Sequence, residues 1–194
     1  MDYISVERYV ASQVSYRRYL HSRSTVHQAK FLSHHYLHTD ALDHHIFLAG
    51  IWHDIAREWP SEALFAYAQK HHLEMLQCET ERPMLLHGPV AAHQLRLLKP
   101  DVTLQVLKAI RWHTLGSVDM GVLGALIYLA DYLEPLRKHL DDAQRSEILR
   151  APTLEKLCLV VVEQHQQHLY QTGRESASST DELFKFLSHG GTFS

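Results

Sequence analysis

Cysteine is nearly absent. Cys78 and Cys158 stand far apart with no CxxC pair, which excludes a disulfide framework and a thiolate-rich zinc site and favours a reducing, cytoplasmic setting. Surplus positive charge is also missing, since the formal net charge is −3. A general nucleic-acid surface needs an excess of Lys and Arg to displace counterions from phosphate, so no nucleic-acid partner is expected, although a small basic pocket stays compatible. Long apolar runs are lacking as well: the longest, near residues 120–130, reaches only about half of the roughly 20 residues that a membrane-spanning helix requires. Met1 to Arg8 include Asp2 and Glu7 and no apolar core, so they do not read as a secretory signal. A soluble protein without a membrane partner is expected.

Strand-like alternation is missing too. Apolar residues recur at helical spacing instead, so the class is all-α, with helices expected at about 3–15, 18–38, 41–56, 61–72, 84–98, 102–114, 119–134, 142–150 and 153–171. Pro60-Ser61-Glu62 and Ala151-Pro152-Thr153 read as helix starts, Lys99-Pro100-Asp101 separates two helices, and Gly116-Ser117 opens a turn. Residues 172–180, TGRESASST, form the one sustained polar stretch and are expected as a loop before a short terminal helix at 181–187. A chain of 194 residues can bury a core without staples. The expected organisation is a helical bundle over 1–171, with 172–194 part of the same domain.

What the chain has in quantity is histidine: 17, scattered rather than grouped. Most read as core or surface histidines with an ordinary hydrogen bond. His34 and His38, like His165 and His168, have helical spacing able to hold zinc by chance, but they read as solvated faces, as do His44-His45 and His71-His72. Two aspartates single out the others. Asp54 follows His53 at the end of the apolar run from Ile46 to Trp52, and Asp131 lies inside Leu126-Ile127-Tyr128-Leu129-Ala130-Asp131-Tyr132-Leu133. An unpaired carboxylate in such surroundings is costly to desolvate, so each needs a cation, a metal or a wet cleft. Successive helix residues are about 100° apart, so His53 and Asp54 do not share a face. They can straddle a metal cluster, the imidazole on one ion and the carboxylate oxygens bridging to a second. His21, His87 and His113 lie in similar settings, and a bundle can gather such positions around one centre.

The ordered set His21, His53-Asp54, His87, His113 and Asp131 resembles the HD-domain metallophosphohydrolases. Five flanking segments narrow the resemblance: Arg18-Tyr19-Leu20-His21-Ser22, Trp52-His53-Asp54-Ile55-Ala56-Arg57, Leu86-His87-Gly88-Pro89-Val90, Ala109-Ile110-Arg111-Trp112-His113-Thr114-Leu115-Gly116 and Ala130-Asp131-Tyr132-Leu133-Glu134-Pro135-Leu136-Arg137. Together they are similar to the YqeK family, the symmetrical bis(nucleosyl)-tetraphosphatases, which split diadenosine tetraphosphate into two ADP. The similarity is dense from about residue 16 to 137 and weak onward to about 170. Arg57 departs from the family's usual Lys, replacing a compact ammonium with a planar fork, and Thr25 stands at a position that is commonly Val.

The resemblance implies an HD-domain bundle around two divalent or mixed-valence ions, usually iron. His21, His53 and Asp131 would serve one ion, His87 and His113 the other, with Asp54 bridging. Imidazole with carboxylate suits Fe, Mn, Co, Ni or Zn better than Ca, whereas a structural site would more often be closed and rich in Cys. The expected chemistry is in-line attack of a metal-bound hydroxide on phosphorus, with Asp54 helping to orient it. Arg57 and Arg137 are candidate phosphate clamps that stabilise charge on the departing nucleotide, Arg137 having Glu134 or Asp141 as alternative partners. Thr114 adds a hydrogen bond to substrate. Trp52 and Trp112 read as core packing, Gly88 and Gly116 as tight backbone, and Leu157 to Val162 with Tyr170 as packing of a terminal helix. Two other readings stay open: an HD phosphohydrolase of a deoxynucleotide or other phosphoester, and a nucleotide-binding regulator with little turnover. The Gly-Tyr-Pro signature of cyclic-dinucleotide hydrolases is absent. A homodimer also stays open, with Leu123 or Phe184 as candidate contacts.

Overall fold

The computed structural model describes residues 3–193; Met1, Asp2 and Ser194, at the ends of the expected segments, lie outside the described residues. All regular structure among the described residues is helical. The order is α1 (Tyr3–Gln13), α2 (Tyr16–Leu32), α3 (Asp43–Trp52), α4 (Ser61–Lys70), α5 (Gln77–Glu81), α6 (His87–Leu98), α7 (Leu104–Trp112), α8 (Gly121–Leu133), α9 (Asp142–Ile148), α10 (Leu154–Gln171) and α11 (Ser178–Ser188). A π-helical turn follows α2 at Ser33–Leu37, and 3-10 turns precede α6 and α8 at Pro83–Leu86 and Val118–Met120. Hydroxyl and carboxylate caps set several starts by accepting otherwise orphaned amides: Ser15 for α2, Thr153 for α10, and Asp141 with Gln144 for α9.

α8 is the axis of the molecule because it has almost no polar face. Leu123 through Ala130 are all buried, and a helix apolar all round must be enclosed by others. α2, α3, α7 and α10 surround it. Leu123 belongs to this core and Phe184 is half-buried against it, so Leu123 is removed as a dimer contact. Trp52 ties three helices together: it is buried at the end of α3, stacks on Tyr9 of α1 at 5.6 Å, and donates its indole N–H to Ala91 of α6 at 2.9 Å. No helix of the described residues is long and apolar enough to cross a membrane.

The differences from expectation have local causes. No apolar period marks 77–81, yet α5 forms where Glu79 is fully buried and grips Arg111 of α7 through two bonds of 2.6 and 2.9 Å. The polar stretch after α10 is shorter than expected, α11 beginning at Ser178, and Thr180 donates to Leu115 O at 2.6 Å, which fastens α11 over the turn at Gly116. Gly116 has φ +70, and a Cβ there would lie 2.7 Å from Leu183. Leu157, Val161 and Val162 are sealed in the core as expected, but Tyr170 is 86% exposed and packs nothing.

Candidate metal centre

α3 stops at Trp52, so His53 and Asp54 stand in the turn beyond it rather than inside a helix reaching 56. The Gly50 carbonyl, which would continue the helix, is taken at 2.7 Å by the His53 ring through Nδ1. The chain then tightens into three-residue turns, Ile55 N bonding Trp52 O and Arg57 N bonding Asp54 O, each at 3.0 Å. His113 repeats the device at the end of α7 on Ile110 O, and His87 at the start of α6 on Met84 O, both at 2.7 Å. His21 lies within α2, and its Nδ1 meets Glu134 Oε1 at 3.0 Å instead. An oxygen that can only accept fixes the proton on Nδ1 in each ring, which turns Nε2 toward the centre.

Asp54, 2% exposed, occupies that centre. Its Oδ2 lies 3.4 Å from His21 Nε2 and 3.5 Å from His53 Nε2. Its Oδ1 lies 3.4 Å from His87 Nε2 and 3.5 Å from His113 Nε2. Asp131 joins the first pair only, with Oδ1 at 2.9 Å from His21 and 3.7 Å from His53. The structure thus brings all six expected ligand positions together, one oxygen of Asp54 facing each imidazole pair. At His87 and His113 the two Nε2 atoms face one another at 3.1 Å, and the Thr114 hydroxyl lies 3.1 and 3.0 Å from them. One hydroxyl proton cannot serve both lone pairs; a cation can, so the residues fit a metal. Donor atoms of His21, His53 and Asp131, and of His53, Asp54 and His113, are close enough to share an ion.

Burial by itself pushes both carboxylates up, but the neighbouring groups prevail. His53, His113 and His21 hold Asp54 well below the ordinary carboxylate range, and His21, His53 and Arg137 do the same for Asp131. Burial likewise pulls the His21 ring down, yet its bonds to Asp131, Asp54 and Glu134 carry it up to about 10. Without metal it therefore holds a second proton. Burial lowers His53, and burial with His113 lowers His87 to about 3, keeping those rings in the neutral form that binds metal.

Cationic side chains complete the site. Arg18, not singled out in the sequence, reaches Asp54 Oδ2 at 2.5 Å. Arg137 pairs with neither Glu134 nor Asp141: its Nε donates to the Asp131 backbone oxygen at 2.9 Å, and its Nη2 to the Asp131 carboxylate. Arg57 lines the main cavity, about 440 Å³, together with Thr114 and Arg137. A second cavity, about 230 Å³, opens on the His21 side beside Arg17, Arg18 and Arg137. Gly88 sets the approach of α6 to α7, since a Cβ there would lie 2.9 Å from Arg111 O. Trp112 packs on the core beneath the Arg111 guanidinium, 4.3 Å away. His165 corrects the solvated-face expectation: it lines the main cavity and its Nδ1 lies 2.7 Å from the Tyr128 hydroxyl.

Comparison with known proteins gives four findings. Residues 18–136 match the HD domain. The chain is 30% identical over 131 residues to the symmetrical bis(5'-nucleosyl)-tetraphosphatase of Bacillus subtilis, spanning 66% of this chain and 67% of that one. It is 29% identical over 139 residues to the protein of the same name from Staphylococcus aureus, spanning 71% and 69%. In three dimensions it is similar to the crystal structure of a predicted HD superfamily hydrolase from Clostridium acetobutylicum, described as involved in NAD metabolism. That match has a TM-score of 0.86 and 25% identity, and covers 97% of this chain and 98% of the other.

Proposed function

The chain belongs to the HD-domain family and is a metal-dependent phosphohydrolase; from that premise we propose that it cuts dinucleoside tetraphosphates symmetrically, diadenosine tetraphosphate into two ADP. The observation that carries the reading is the division of Asp54, one oxygen 3.4–3.5 Å from His21 and His53 and the other at the same range from His87 and His113. That division supports a pair of ions, held by His21, His53, Asp54, His87, His113 and Asp131. We take the pair to be iron, from a donor set that equally suits Mn, Co, Ni or Zn. When bound, such a pair supplies Lewis acidity, lowering the pKa of water and drawing charge from phosphate oxygens.

The remaining work falls to the chain's own groups. Arg57 has no carboxylate partner among the described residues, so its planar fork is free to take two phosphate oxygens and to offset charge on the departing diphosphate. Arg137 is engaged by Asp131 and borders both cavities, so it holds that carboxylate while presenting its outer edge to substrate. Thr114 offers its hydroxyl at the His87–His113 pair. The centre lies between the two cavities, which leaves room for a phosphate chain on either side of the point of cleavage and supports a cut at its middle. In the net reaction, water oxygen ends on one central phosphorus, and the bridging oxygen leaves with the other diphosphate.

The names of the relatives support the substrate, and a product assay tests it. Purified protein supplied with iron or manganese should convert diadenosine tetraphosphate to ADP alone, read by ion-exchange chromatography. AMP with ATP would overturn symmetric cleavage, and nucleotide binding without products would favour a regulator.

A further inference from the structure

We propose that the groove between α2 and residues 134–136 holds the second nucleoside of a dinucleoside tetraphosphate, on the half of the substrate that leaves the centre through the smaller cavity. The proposal rests on the dinucleotide reading for its ligand. Shared walls carry it. Arg137 borders both the main and the smaller cavity, and Leu136 borders both the smaller cavity and a groove of about 500 Å³. The groove therefore continues the path that leads from the metal centre past Arg17, Arg18 and Arg137. The smaller cavity offers those three cations but no Tyr, Phe or Trp; it takes phosphates, and the base they carry rests beyond it.

The walls of the groove suit that base. Leu20, Ser24, Gln28 and Phe31 recur at the spacing of one face of α2, and Pro135 and Leu136 form the other wall. Glu134 fastens the two sides together: it bonds His21 at 3.0 Å and Ser24 on α2, and accepts from the Leu136 amide at 2.7 Å. Phe31 stacks on His35 at 5.6 Å yet stays 48% exposed, and Leu136 is 56% exposed. A flat aromatic ligand covers such apolar surface. No carboxylate lines the groove, so a ligand that carries phosphate meets no like charge there. Gln28 supplies the polar contact. Its Nε2 is buried without a partner among the described residues, and an amide donor left open in this way is costly. Rotation about the terminal amide bond turns that donor to the groove, where an acceptor nitrogen or carbonyl of a base satisfies it. Gln28 follows His21 by two turns of α2, about 10 Å along the helix axis, within reach of a base carried on a diphosphate and ribose.

The probe is diadenosine tetraphosphate with a methylene in place of the central bridging oxygen, which the proposed reaction cannot cut; imidodiphosphate is the control without a base. In calorimetric titration of the manganese-loaded protein, Phe31→Ala and Leu136→Ala should each weaken the dinucleotide about tenfold, the order expected for losing one contact to a base, and leave imidodiphosphate unchanged. Gln28→Met, which keeps the length of the side chain and removes its donor, should weaken the dinucleotide too. Phe31→Leu and Leu136→Ser stand in should either alanine variant fail to fold. Unchanged dinucleotide affinity in the variants, or an equal loss of imidodiphosphate, would overturn the nucleoside site. Self-association of the wild type in sedimentation that Phe31→Ala abolishes, with dinucleotide affinity unchanged, would overturn it in favour of a contact between two copies of the chain. A protein that shows the expected losses yet makes no ADP from diadenosine tetraphosphate keeps the nucleoside site and loses the proposed reaction. One that makes ADP alone, with variants that bind the probe as the wild type does, keeps the reaction and loses the site.

Discussion

Glu134 gives the sharpest test of how the metal centre is held. It is 1% exposed, and both carboxylate oxygens are engaged by donors: Oε1 by His21 Nδ1–H at 3.0 Å and Oε2 by the Leu136 amide at 2.7 Å. The side chain at this position must therefore accept twice. Glutamine has the same shape but only one accepting end. In Glu134→Gln, the NH2 group either opposes the Leu136 N–H or faces His21 and forces Nδ1 to accept. The first arrangement leaves a buried donor unsatisfied, at roughly 1–3 kcal/mol. The second moves the ring proton to Nε2, the atom that must stay open for metal. Metal affinity should fall about 10–100-fold, the usual cost of losing the carboxylate that orients a ligand histidine.

Three measurements check this. Metal content after dialysis against graded manganese should be lower in the variant, excess metal should restore activity, and the urea midpoint of the metal-free variant should drop. The pH dependence has a definite sign. Burial works against the charged form of Glu134, but His21, Ser24 and the Leu136 amide prevail and lower its pKa below the usual 4.5. A depressed carboxylate stabilises the fold above its unfolded pKa and loses that contribution as pH falls. The stability curves of wild type and variant should therefore converge in acid. Unchanged metal affinity together with an unchanged urea midpoint near neutrality would refute this account of Glu134.

The His21 ring, raised from 6.5 to about 10 without metal, must give up a proton to become a ligand, so a metal titration at pH 7.5 should release about one proton from it, read in weakly buffered solution. The metal-free protein should in turn lose stability, on the order of 5 kcal/mol, as pH rises from 6.5 through 10, because only the folded ring keeps the extra proton there. Gly88→Ala would place a Cβ 2.9 Å from Arg111 O and 3.2 Å from Ile110 O, costing about 1–3 kcal/mol; a lower Tm and reduced metal content would register the separation of His87 from His113. Arg145, 9% exposed, donates to the carbonyls of Leu133 at 2.7 Å and Arg137 at 3.2 Å, gathering the segment that carries Glu134 and Arg137. Arg145→Met should lower stability by about 2–4 kcal/mol and reduce metal content, measured by urea unfolding and metal analysis.

The course of α8 and the convergence of the six candidate ligand side chains were legible for the same reason. Continuous apolar residues from Leu123 to Ala130 demand enclosure, and a carboxylate following such a run, as Asp131 does, demands a counter-charge. Helix ends were less legible. His53, His87 and His113 each bond a carbonyl three residues back, and residue type does not say whether a histidine ring turns to its own backbone or to solvent. His165 left a usable signal, since Cys158, Val161, Val162 and His165 repeat at the spacing of one helix face, but the polar neighbours Gln164 and Gln166 masked it. Arg18 and Glu134 lie one turn from His21 and from Asp131, yet the contact of Glu134 with His21 spans 113 residues, which no local spacing encodes. These misses share a cause. Desolvation cost marks a carboxylate set against a long apolar run, as Asp54 and Asp131 are; Arg18 and Glu134 are placed by partners distant in the chain, so in sequence they look like any other charged residue. A centre of this kind shows its candidate ligands in the sequence, while the residues that hold those side chains in place are found only through the contacts that satisfy them.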